Sequence, residues 1–189
     1  MRSLIALLLV PALAIGGCDR QSDAPGQANA AAPANAAAPT PAAAGTLDRS
    51  HKGEAAPAVA FADPAGKKVT LADFRGRPVL LNLWATWCIP CIKEMPTLDA
   101  LAAALDGKVT VLAVSQDLTG AEKVAPFFAA RSFARLQPYL DTDAALGSAF
   151  SASLPTTVLY DGQGREVWRM LGDTDWASEA SRKLVDEAG

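Results

Sequence analysis

Two cysteines three positions apart, in Cys88-Ile89-Pro90-Cys91, are the residues of this chain best placed to do chemistry. They follow the apolar run Val79-Leu80-Leu81-Asn82-Leu83-Trp84 by way of Ala85-Thr86-Trp87. They also open a stretch in which Ile92, Met95, Leu98, Leu101 and Leu105 recur at helical spacing. Residues i and i+3 share a helix face, so the two sulfurs can bridge with little backbone movement. Pro90 suits a first helical turn, where a missing N–H costs nothing. The unpaired N–H groups and positive dipole end of a helix N-terminus favour a thiolate at Cys88. The chemistry this predicts is dithiol–disulfide exchange, with Cys88 attacking and Cys91 resolving.

Other uses of the pair fit less well. A structural disulfide here would close so short a loop that it stabilises little. A zinc site wants four ligands, and residues 57–189 hold two cysteines and no histidine. No metal is expected. The chain has 189 residues, 50% of them hydrophobic and 20% charged, which allows one domain with appendages. A net charge of −3 argues against nucleic-acid binding, which would need a concentrated basic face. Three cysteines are too few for a disulfide-stapled scaffold, and no tract reaches the roughly 18 apolar residues of a spanning helix.

The elements that must position the cysteines read as one α/β body over residues 57–189. Ala58 to Phe61 and Lys68 to Leu71 flank turn material and suggest a hairpin-like opening. Val79–Trp84 and Val109–Val114 are apolar runs of the kind buried on both faces of a sheet. Ala121 to Ala130 reads as a helix that Pro126 bends or starts, and Ala144 to Phe150 as a short one. Thr156–Tyr160 and Arg165–Trp168 read as strands about a turn. A final helix is expected from about Trp176 to Glu187, capped by Asp173 or Asp175. Strands alternating with helices and ending in a hairpin predict a sheet with helices on both faces.

Ahead of the body lie two segments of different character. Arg2, an apolar stretch from Leu4 to Ile15 and the small residues Gly16 and Gly17 form a secretory signal over 1–17. Residues 18–56 are rich in Ala and Pro, with Pro25, Pro33, Pro39 and Pro41 interrupting any helix, and read as a disordered tether. His51 falls in that tether, so the folded body is expected to hold no histidine. Ile15-Gly16-Gly17-Cys18 resembles the lipobox of bacterial lipoproteins. The resemblance implies lipidation of Cys18 and anchoring at the periplasmic face of the inner membrane, with a soluble periplasmic protein as the alternative.

Trp84-Ala85-Thr86-Trp87-Cys88-Ile89-Pro90-Cys91, with Lys93-Glu94-Met95-Pro96, resembles the active-site signature of the TlpA/ResA branch of thioredoxin-like proteins. Leu154-Pro155-Thr156-Thr157 is similar to the proline loop of that fold. Glu166-Val167-Trp168 through Gly172 to Trp176-Ala177-Ser178 is similar to its C-terminal region. The resemblance implies a thioredoxin-like fold with a central mixed sheet flanked by helices, and a cis bond before Pro155. It implies partner contacts at Trp87, Pro90, Leu154 and Pro155, with the Leu154 backbone free to pair with an extended substrate. It also gives Glu94 the part of a proton relay for Cys91; Asn82 occupies the place where thioredoxins proper carry an aspartate.

The implied activity is protein disulfide reduction on disulfide-containing proteins of the cell envelope, whose cysteines go on to bind haem or copper. A membrane electron donor would re-reduce the pair, and no cofactor beyond the Cys88–Cys91 disulfide is needed. Ile89 and Pro90 bring neither charge nor a side-chain donor to the thiolate, which favours the reducing direction. Three alternatives stay open: a disulfide oxidase, a peroxiredoxin-like peroxidase and a copper chaperone. The peroxidase would want a threonine where Ala85 stands. The chaperone would want wider cysteine spacing and a histidine in the folded body.

Overall fold

The computed structural model describes residues 45–189. The expected signal over 1–17, the expected lipidation site Cys18 and the expected tether as far as residue 44 lie outside the described residues. Eight strands form one mixed sheet: β1 (Thr46–Asp48), β2 (Phe61–Ala62), β3 (Lys68–Val69), β4 (Val79–Trp84), β5 (Thr110–Ser115), β6 (Pro138–Leu140), β7 (Thr156–Tyr160) and β8 (Glu166–Leu171). Their order across the sheet is β1-β8-β7-β4-β5-β6-β2-β3. The strands β4, β5 and β6 run parallel, while β7 and β8 turn back: β7 is antiparallel to β4 and β8 to β7. The helices are α1 (Ile89–Leu105), α2 (Ala121–Arg131), α3 (Ala145–Ala149) and α4 (Glu179–Val185).

The continuous apolar run of β4 has a direct cause, since successive side chains alternate between two covered faces. Leu80 and Trp84 join a core with Cys91, Met95, Leu98 and Leu101 of α1, Val124 and Phe127 of α2, and Trp168 and Trp176. Val79, Leu81 and Leu83 pack on the other face with Phe61, Leu71, Leu112, Val114, Leu146 and Tyr160. All six β4 side chains are buried as a result. Asn82 alone among them is polar, and it lies on the face shared with α1, between Leu80 and Trp84. The helix α1 is tied to the segment leading into β6 through Asp99, whose carboxylate accepts from the backbone N–H groups of Ala134, Arg135 and Leu136 at 2.8–2.9 Å.

The described body includes residues from Gly45 onward, so the expected tether boundary at residue 56 is corrected by some dozen residues. The strand β1 pairs antiparallel with β8, with Thr46 opposite Leu171, and Leu47 packs against the α1-side core. An uncovered β8 edge would present unpaired backbone groups, and this short strand closes it. Gly45 is needed for the approach, because a Cβ there would sit 2.9 Å from the Gly172 carbonyl oxygen and from the Met170 sulfur. His51 therefore belongs to the folded body, where its Nδ1 lies 3.1 Å from Glu54 Oε2. An Ala- and Pro-rich lead-in masks a strand of three residues.

The last helix is also shorter than expected. Ser178 caps α4, its Oγ accepting from the Ser181 N–H at 3.2 Å, and residues 173–177 form a loop instead of a first turn. The reason is tertiary. The backbone N–H of Trp176 donates to Thr97 Oγ1 and its indole is fully buried against α1, which draws the chain off the helical path. Pro126 stands inside α2, which starts at Ala121.

A chain shortened to begin at Pro57 is expected to unfold with about 2 kcal/mol less free energy than one beginning at Gly45, from the lost ladder and the exposed Leu47 site. Urea titration of the two would read this directly, and coincident midpoints would show that residues 45–56 contribute nothing.

Candidate active site

The buried strand β4 ends at Trp84, and a short turn then leads the chain into α1. Cys88 is the N-cap of that helix, in extended conformation, and its Sγ accepts a hydrogen bond from the Cys91 N–H at 3.3 Å. The sulfur thus takes the place of the usual capping oxygen, on the positive end of a helix of 17 residues. Cys88 and Cys91 are joined in a disulfide, with Cα atoms 5.3 Å apart. Cys88 keeps 5% of its surface and Cys91 none, so a partner can meet only the first sulfur.

The loop carrying Cys88 is clamped from the end of β5 by a residue that the sequence reading did not single out. Asp117 accepts from the Thr86 N–H at 2.9 Å and from its hydroxyl at 2.6 Å, and Ser115 Oγ donates to the same carboxylate at 2.7 Å. The Cys88 N–H bonds the Ala85 carbonyl, which completes the turn. An acidic residue closely following the buried run Thr110–Ser115 was the available signal, because a carboxylate at the end of a buried strand needs donors nearby.

Glu94 lies one turn beyond Cys91 and is only 3% exposed. Asn82 Nδ2 donates to its Oε1 at 2.8 Å, and the Thr174 N–H and Trp176 indole N–H donate to its Oε2 at 3.1 and 3.2 Å. Asn82 Nδ2 also reaches Thr157 Oγ1 at 2.9 Å, linking the carboxylate to β7. No cation is among its partners in the described residues. Burial raises its pKa to about 7, against the lowering effect of the three hydrogen bonds and with some help from the charge of Asp173. A carboxyl titrating near neutrality can both hold and release a proton at working pH.

The proline loop stands where the resemblance put it. Thr156 pairs with Leu83, so Leu154 and Pro155 lie beside the end of β4, and the Leu154–Pro155 bond is cis. Leu154 packs against the cluster that holds both cysteines and lines a groove together with Trp87. Trp87, Ile89 and Leu118 are 68%, 68% and 71% exposed, an apolar rim of three large side chains around the disulfide. Pro90 sits in the first turn of α1, half-buried. Among the described residues no cluster of side chains is arranged to hold a metal ion. Cys18 is outside the described residues.

This arrangement is that of a redox-active pair on a strand–helix junction, and the comparisons with known proteins agree. Residues 51–184 match the Redoxin family. The chain belongs to the Redoxin family. It is 33% identical over 123 residues to the thiol-disulfide oxidoreductase ResA of Bacillus cereus, covering 64% of this chain and 70% of that protein. ResA of Bacillus subtilis is 35% identical over 124 residues, covering 64% and 68%. A crystal structure described as a thiol:disulfide interchange protein DsbE from Chlorobium tepidum superposes with a TM-score of 0.64 at 25% identity, covering 73% of this chain and 98% of that one. The fold is thioredoxin-like, and this Redoxin-family chain is a ResA-like thiol-disulfide oxidoreductase working through Cys88 and Cys91.

The buried carboxyl makes the stability of this Redoxin domain depend on pH. Its folded pKa lies above the ordinary 4.5, so the folded state holds the proton more tightly than the unfolded chain. The stability this confers is complete below pH 4.5 and is lost as pH rises to 7, by about 3 kcal/mol. Glu94→Gln carries no such proton. Between pH 4.5 and 8 the unfolding free energy of the oxidised wild type should fall by about 3 kcal/mol more than that of the variant. Parallel pH profiles in urea titrations would contradict this account of Glu94.

Proposed function

We propose that the chain reduces disulfides in proteins of the cell envelope, anchored to the periplasmic face of the inner membrane by lipid on Cys18. The pathway we favour is maturation of respiratory proteins whose cysteines go on to bind haem or copper, as in cytochrome c or cytochrome oxidase. The observation that carries the reducing direction is the environment of Cys88. Its sulfur accepts one backbone N–H, and Ile89 and Pro90 add no charge or side-chain donor, so the reduced thiolate is only modestly stabilised. A strong oxidant of this chemistry stabilises that thiolate heavily.

The exchange balances in two steps. The Cys88 thiolate attacks one sulfur of the partner disulfide, forming a mixed disulfide and releasing the partner's other sulfur as a thiolate. Cys91 then gives up its proton to the Glu94 carboxylate, and its thiolate attacks Cys88 Sγ. The partner's second thiolate departs, and Cys88–Cys91 is left oxidised. Two electrons have passed to the partner, whose thiolates take protons from solvent. A dithiol donor at the membrane returns the pair to the reduced state. Trp87, Pro90, Leu154 and Pro155 form the surface on which the partner is held, the Leu154 backbone pairing with it as an added strand.

Cys91→Ser removes the resolving sulfur, so Cys88 should accumulate as mixed disulfides with envelope proteins, separable on non-reducing gels and identifiable by mass spectrometry. Recovering none while Cys88 still reacts with a thiol reagent would refute substrate exchange. The reduction potential should lie nearer the roughly −270 mV of thioredoxin than the roughly −120 mV of a strong oxidant. A value at the oxidising end would make the protein a disulfide oxidase.

A further inference from the structure

The strand β5 leaves the sheet at Ser115, and the next residue carries a buried side chain with unfinished hydrogen bonding. Gln116 is 6% exposed and its backbone N–H is fixed to the Trp84 carbonyl at 2.8 Å, at the end of the strand that leads to Cys88. Its Oε1 accepts from the Gly147 N–H at 3.1 Å. Its Nε2 has no hydrogen-bond partner among the described residues. Buried donors are almost always paired, so an orphan one calls for a reason. Gly147 is shaped to the same amide, because a Cβ there would come within 2.7 Å of Gln116 Oε1.

Gln116 borders a groove of about 460 Å³ that runs from Trp87 past Leu118 and Gly147 to Leu154. No charged side chain among the described residues lines it. The groove shares Trp87 and Leu118 with the apolar rim and Leu154 with the proline loop, so a segment paired with the Leu154 backbone has the groove alongside it. Two features define that segment: a lining without charge offers acidic and basic side chains no partner, and a spare N–H donor asks for a carbonyl.

We infer that Gln116 is a specificity-determining residue, donating from Nε2 to a backbone carbonyl of an extended, uncharged segment that flanks the partner's cysteine. The donor is shielded from water in the free protein. A partner carbonyl that enters the groove beside Gln116 meets the donor there while Oε1 keeps the Gly147 N–H. Its hydrogen bond is then made where water does not compete, which favours the partner that supplies the carbonyl in register. This rests on the reading of the chain as a disulfide reductase, and narrows its substrates to proteins whose reactive cysteine lies in an accessible, uncharged, extended stretch.

The test compares three disulfides reduced by the pre-reduced protein. One is a synthetic peptide closed by a single disulfide, with alanine and valine flanking its cysteines; the second is the same peptide with aspartate in those places; the third is dithiobis(nitrobenzoate), which has no backbone carbonyl. Gln116→Glu keeps the size of the side chain and the acceptor for Gly147 but removes the donor, and Gln116→Leu removes it without adding charge. Each should lower the rate on the apolar peptide about tenfold beyond any loss on dithiobis(nitrobenzoate). Gly147→Ala should lower that ratio in the wild-type background and leave it unmoved in Gln116→Leu. Wild type should prefer the apolar peptide to the aspartate one.

Variants that are folded by circular dichroism yet keep the wild-type ratio would overturn the inference and leave the reductase reading standing. Equal wild-type rates on the two peptides would overturn it as well. If wild type reduces dithiobis(nitrobenzoate) but neither peptide, the reductase reading itself fails, and the inference with it. Self-association that buries Trp87 in place of peptide would assign the groove to a second copy of this chain and overturn the inference.

Discussion

A carboxylate buried with no cation beside it among the described residues is the constraint on which much of this molecule turns. Glu94 is held by donors from three separate parts of the chain: Asn82 in β4, the Thr174 backbone, and the Trp176 indole. Those bonds fasten α1 to the sheet beneath it and draw the C-terminal loop across both. Hydrogen bonding does not fully replace lost hydration, so the group keeps its proton up to about pH 7. The same burial that costs the fold electrostatic stability leaves, one helical turn beyond Cys91, a carboxyl that titrates near neutrality.

The two cysteines differ because the strand–helix junction treats them differently. Cys88 sits at the helix cap with a sliver of exposed surface, and its sulfur takes a helix N–H. Cys91 is one turn deeper, in the core with Met95, Leu98 and Trp84. Rigidity of the junction comes from Asp117, which grips Thr86 by both backbone and hydroxyl. With the loop fixed, Trp87 and Ile89 have little choice but to face outward, and an apolar rim forms around a sulfur that must meet other proteins.

Much of this was legible in the residues. The apolar runs Val79–Trp84 and Val109–Val114 marked the central strands because both sheet faces are covered. The i, i+3 spacing of Cys88 and Cys91 at a helix start implied a redox pair because geometry permits the bridge and the dipole favours the thiolate. Less visible were contacts made at long range. The strand β1 is three residues of ordinary composition, significant only because the edge of β8 lies free beside it. Trp176 looked helical by position, but its bonds to Thr97 and Glu94 hold it in a loop.

Taken alone, the sequence determined an α/β body, from periodicity along residues 57–189, and a paired-cysteine motif at a helix start, from spacing within one short stretch. Tertiary structure decided how deeply Glu94 is buried, that Asp117 fixes the cysteine loop, and that Gln116 lies with a spare donor beside the groove. Those properties depend on solvent exclusion and on partners dozens of residues away along the chain. Hydropathy patterns record which side chains avoid water. They do not record which polar group is left among them, nor which distant donor it meets.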